Sequence, residues 1–71
     1  MNYFSYNVMY LRKMNNISQK EMACILGIGV GSLNKIENGI LPKRLSVDVL
    51  FRIHERFGIY PSDVLGKKIV I

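Results

Sequence analysis

Three residues, Gly27-Ile28-Gly29, separate two apolar patterns of helical period, and that short gap constrains the chain more than any other feature. Before it, Met22, Ala23, Ile25 and Leu26 follow Ser18, which suits a helix N-cap. Glu21, at the third helical position, completes a capping box. This predicts a helix over residues 19–26 that Gly27 ends. Beyond the gap, Leu33 and Ile36 predict a second helix over residues 30–38, closed by Gly39 after Asn38. Helices this short are marginal in isolation. With so short a connection they must pack at a steep angle, locked by Met22, Leu26, Ile28, Leu33 and Ile36. Ala23 falls where the crossing is closest and a larger side chain would clash. Gly27 supplies the positive φ of a sharp turn.

The rest of the chain supplies the elements such a pair needs as support. Phe4, Val8 and Leu11 predict a helix over residues 5–14. Ser46 caps a helix over 47–57, with Leu50, Ile53 and Phe57 inward and Asp48 and Arg56 placed to suit its dipole. Pro61 opens a short helix ending near Leu65. Gly58 and Gly66 are expected to end their helices in the left-handed conformation. Only residues 67–71 carry a trace of period two. The expected fold is all-α, one five-helix domain over residues 1–71 with a core of 4–65 and a C-terminal tail of 66–71.

Composition narrows the function. A chain of 71 residues buries only about 60% of its unfolded surface. That leaves little for a catalytic cleft beside a core. No Ser/His/Asp, Cys/His or paired-carboxylate group stands out, so no enzyme, metal or cofactor is expected. His54 stands alone and reads as a packing or interface residue. The single cysteine, Cys24, cannot form an internal disulfide and reads as an inert core residue. Gly29 and Gly31 follow no strand and do not form a phosphate-cradling loop. Tyr3, Phe4, Tyr6 and Tyr10 read as packing residues. No apolar run reaches the ~18 residues of a membrane span. Met1-Asn2-Tyr3-Phe4 does not open a secretory leader. A cytoplasmic protein is expected. Ten Lys and Arg against five Asp and Glu give a net charge of +5, which favours a polyanionic partner.

The paired helices form a helix-turn-helix pattern, whose second helix stands out to enter a DNA major groove. Leu11-Arg12-Lys13, Ile17-Ser18-Gln19-Lys20-Glu21-Met22-Ala23, Leu26-Gly27 and Lys35-Ile36-Glu37-Asn38-Gly39 together resemble the phage-repressor, Cro-like (XRE-type) helix-turn-helix family. Leu50, Phe57-Gly58-Ile59 and Asp63-Val64-Leu65 continue the resemblance, which spans residues 8–65. It implies a lambda-repressor-like domain that binds double-stranded operator DNA as a dimer. It also implies a transcriptional regulator, a repressor of prokaryotic or phage origin, at the nucleoid. Ser18 and Gln19, at the start of the second helix, and Asn38, after the third, would meet phosphates. Arg12 and Glu37 would form an internal ion pair.

The third helix departs from the family's commoner pattern. Its first residues are Gly29, Val30, Gly31 and Ser32, so only Ser32, Asn34 and Lys35 can hydrogen-bond to base edges. Val30 suits a thymine methyl, and the glycines permit close approach. Reliance on phosphates and DNA shape is therefore expected. Lys43 and Arg44 lie in the next loop, either at the phosphates or as ordinary solvated cations. Arg52, Arg56, Lys67 and Lys68 are assigned to solvent.

A lone domain reads one half-site, so a homodimer is expected. Candidate interface residues are Ile59, Tyr60, Val64, Leu65, Ile69, Val70 and Ile71. The other reading of the tail is that it packs on its own core. A second functional class stays open, an antitoxin or other protein-interaction module built on the same fold. No small-molecule ligand and no membrane partner is evident from the sequence.

Overall fold

A computed structural model describes residues 2–69. Its elements are α1 (Tyr3–Met14), α2 (Gln19–Leu26), α3 (Val30–Glu37), α4 (Val47–Phe57) and α5 (Pro61–Gly66). Among the described residues there is no strand, and no helix is long and apolar enough to cross a membrane.

Side chains set three of the helix starts. The Asn2 carboxamide oxygen accepts the Ser5 N–H at 2.8 Å, the Ser18 hydroxyl accepts that of Glu21 at 3.1 Å, and the Ser46 hydroxyl that of Asp48 at 3.1 Å. The Asn2 cap starts α1 two residues before the expected Ser5. α5 begins at Pro61, whose fixed φ suits a first helical position. α3 begins at Gly29 with no side-chain cap.

Three helix ends repeat one device. Asn16 (φ 55°), Gly27 (φ 72°) and Gly39 (φ 87°) are left-handed, and the isoleucine after each donates its N–H back to the last helical turn. These bonds are Ile17 to the Arg12 carbonyl at 3.0 Å, Ile28 to Ala23 at 3.0 Å and Ile40 to Lys35 at 2.9 Å. Each is a Schellman motif, which satisfies carbonyls a helix end would otherwise leave open. Glycine serves the φ requirement at two of them, and Asn16, with its short polar side chain, at the third.

The core draws on every helix: Phe4, Val8 and Leu11; Met22, Ala23 and Leu26; Leu33 and Ile36; Val49 and Ile53; Val64. α1 lies against α3 and α5, α2 against α3 and α4, and α4 against α5. α2 and α3 are thus held at the edge of a three-helix support.

A buried polar group ties the C-terminal segment to this body. Asn7 is fully buried on α1. Its amide donates to the carbonyls of Val64 and Lys67, both at 2.8 Å, and its oxygen accepts the Ile69 N–H at 2.8 Å. Two expectations change as a result. Gly66 is the last residue of α5 rather than a left-handed cap, because Lys67 turns to extended backbone (φ −159°, ψ 160°) to meet Asn7. Ile69 packs in the core. Cys24 also departs from expectation and is exposed. The inward stripe of α2 is Met22, Ala23 and Leu26, which leaves Cys24 on the outer side.

Candidate nucleic-acid interface

α3 presents two unlike faces. Leu33, Ile36 and Glu37 point inward and are buried. Val30, Gly31, Ser32, Asn34 and Lys35 are exposed, as is the preceding Gly29. A Cβ added at Gly29 or Gly31 would meet nothing within 4 Å, and neither residue has a positive φ. The protein itself therefore does not require glycine at either place.

Glu37 anchors the inner face. Arg12 Nε donates to its Oε2 at 2.6 Å and Arg12 Nη2 to its Oε1 at 2.9 Å, a bidentate pair. The Arg12 Nη1 also donates to the Ile17 carbonyl at 3.2 Å, so the guanidinium joins α1, the α1–α2 turn and α3. The hydrogen bonds that Arg12 donates to Glu37 raise its pKa above its already high ordinary value. A raised folded-state pKa gives a stabilisation that is complete below the unfolded value. The arginine side of this pair therefore holds over the whole range in which the protein would be studied.

Gln19 extends the same group to the surface. Its amide donates to Glu37 Oε1 at 3.3 Å and, more weakly, to Asn34 Oδ1 at 3.5 Å. The start of α2 and the outer face of α3 thus meet in one polar cluster. The Ser18 hydroxyl accepts from the helix and keeps its own proton for an outside acceptor. Asn38 caps α3, its amide donating to the Asn34 carbonyl at 2.8 Å. Ser18, Gln19, Asn34 and Asn38 are brought together around α3, and Gly29, Val30, Gly31, Ser32 and Lys35 share its exposed side.

The cations divide by partner. Arg12 is paired internally, Arg52 with Asp48 at 2.8 Å and Lys67 with Asp63 at 3.7 Å. Arg56 lies over the Phe57 ring at 5.3 Å and Lys68 over the Tyr6 ring at 5.1 Å. Among the described residues, Lys13, Lys20, Lys35, Lys43 and Arg44 have neither a hydrogen bond nor an ion pair. All five lie just before, within or just after the α2–α3 unit. Lys13 and Lys20 were not singled out from the sequence. Charge counting gives all ten cations equal weight, and only the partners of the others distinguish these two.

The dimer candidates separate. Val64 and Ile69 are buried in the chain's own core, so the interface expected of them is corrected: their side chains are already covered. Tyr60 and Leu65 are exposed and Ile59 is half-buried. Val70 and Ile71 lie outside the described residues. His54 is half-buried and packs on Tyr60, ring centres 4.6 Å apart.

A sequence profile described as helix-turn-helix matches residues 8–64, from the middle of α1 to α5. No curated protein and no solved structure matches the chain.

Proposed function

The chain belongs to the XRE-type, Cro-like helix-turn-helix family, whose members are DNA-binding transcriptional regulators, and on that premise we propose that it is a repressor that inserts α3 into the major groove of double-stranded DNA. The observation that carries this reading is the division of α3. Its inner face is fixed by core packing and the Arg12–Glu37 pair, while its outer face offers Ser32, Asn34 and Lys35 without covering residues. Those three side chains supply base-edge hydrogen bonds, and Val30 an apolar contact for a thymine methyl. Ser18, Gln19 and Asn38 bind the flanking phosphates, aided by Lys43 and Arg44 beyond α3. Occupancy of a promoter by such a domain represses without further machinery. We take its partner to be the DNA of the cell interior, bound as a homodimer, because one α3 reads one half-site. Of the candidate interface residues, Tyr60 and Leu65 are exposed and can serve that contact.

Selection of bound sequences from a random duplex library tests the proposal. A palindromic motif with half-sites about one helical turn apart is the expected result. Replacing Gln19 and Lys35 together by alanine is expected to weaken binding with the helical circular dichroism unchanged. Undiminished binding by that variant would remove the assignment of this face. Sedimentation of the protein with and without the selected duplex checks the dimer, and one protomer per palindrome would exclude it.

A further inference from the structure

The third of the isoleucine-bearing helix ends differs from the other two. A Schellman motif places an apolar residue where it can fold back on its helix. Ile17 is buried and Ile28 half-buried, but Ile40 is 58% exposed. It lines one wall of a cavity of about 410 Å³ between α3, the loop that follows it and the start of α4. That volume is in the range of small-molecule sites. The floor is apolar, formed by Ile28, Ile36, Leu45 and Val49, and among the described residues no carboxylate lines it. Lys35 and Arg44 do, and both are unpaired cations. An apolar floor with two free cations and no acid selects the charge of its occupant. A cation is repelled, and a neutral apolar molecule gains nothing from the two exposed cations.

We propose that this cavity binds a small amphipathic anion, an aromatic or branched-alkyl carboxylate or sulfonate. Its body rests on Ile36 and Val49, and its charged group is held by Lys35 and Arg44. Lys35 and Ser32 reach the cavity from the exposed side of α3. An occupied cavity therefore neutralises a cation on the face assigned to DNA and opposes duplex binding. This second step rests on the function proposed above, whereas the binding site itself does not. Linkage makes the opposition reciprocal: the anion weakens duplex binding by the same factor that the duplex weakens the anion.

The experiment uses the full chain and two probes of nearly the same shape, anilinonaphthalene sulfonate and its uncharged relative phenylnaphthylamine. Without DNA, the sulfonate is expected to bind saturably with one-to-one stoichiometry, shifting backbone amide resonances only within residues 28–49. Arg44→Ala and Lys35→Ala are each expected to weaken it by roughly fivefold, the effect of one partly exposed charge-assisted contact, and to leave the neutral probe unchanged. Equal affinity for both probes, equal effects of the substitutions on both, or shifts spread over the whole molecule would overturn the site. A duplex titration then tests the coupling. If the sulfonate occupies the cavity and duplex affinity does not fall, the opposition to DNA is wrong and the site stands. If no duplex binds even without the probe, the DNA reading fails and the cavity result is unaffected.

Discussion

One side of α3 is crowded and the other is bare. On the crowded side, Leu33 and Ile36 sit in the core and Glu37 receives hydrogen bonds from both Arg12 and Gln19. On the bare side, the Ser32 and Lys35 side chains have no partner among the described residues, and two glycines stand in open space. Both faces belong to the same eight-residue helix, so intrinsic helix propensity cannot explain the difference. α2 makes the same point at its start. There Ser18 caps the helix, whereas α3 opens on Gly29 with no cap from a side chain. The inner face fixes where α3 stands, and the outer face is not optimised for the stability of the free protein. Residues of low value to the fold at an exposed, rigidly held position are the pattern expected of a surface shaped by a partner.

Substitutions can break or sharpen that contrast. The largest effect is expected from Leu33→Ala, which empties a fully buried site and should destabilise by about 3–5 kcal/mol in denaturant unfolding. For a domain of this size that is a large part of the total stability. Next comes Glu37→Ala, which leaves the Arg12 guanidinium without its carboxylate in a largely covered setting. About 2–3 kcal/mol of destabilisation is expected, below the value for a fully buried pair because Arg12 retains some access to water. Gly31→Ala should act in the opposite direction and stabilise by about 0.5–1 kcal/mol, since the new methyl meets only open space. The same variant should bind duplex DNA more weakly, and unchanged or tighter binding would show that the glycine is not there for a close approach. The smallest change in stability is expected for Lys35→Ala, within about 0.5 kcal/mol. Its signature is instead duplex binding weaker by about 1–3 kcal/mol, with relaxed preference at the base pair it contacts. A Lys35 variant that loses stability but keeps its base preference would merge the two faces.

Much of the fold was legible because its boundaries are written in local chemistry. Ser18 and Gly27 bracket α2, and Ser46 and Gly58 bracket α4, so both helices run as the sequence indicates. The misreadings arose where a local signal yielded to a distant contact. Gly66 looks like a helix stop, but the backbone after it is directed by Asn7, far away in sequence. Cys24 lies among apolar residues, yet helical geometry turns it outward. Asn7 did leave a trace. It falls on the stripe of Phe4, Val8 and Leu11, where a polar residue implies a buried partner, although nothing in the sequence says which. Likewise, no charge pattern links Arg12 to Glu37, which lie 25 positions apart. Their pairing was suggested by family resemblance rather than by spacing. The cavity beside α3 was not legible at all, because it depends on how the loop after Gly39 leaves Ile40 relative to Ile36 and Val49.

The hydrogen bonds of Asn7 also bear on the order in which the domain can form. They join the first helix to a backbone N–H 62 positions later. Until residues 64–69 are in place, α1 must either bury a carboxamide without its partners or leave its core face open to water. A growing or partly folded chain can start α2 early through its Ser18 cap and Gly27 turn, but it cannot close the body that supports α2 and α3. We therefore expect native-state hydrogen exchange to show α1, α5 and the segment after it opening together as one cooperative unit, with the helix pair losing its support in the same event.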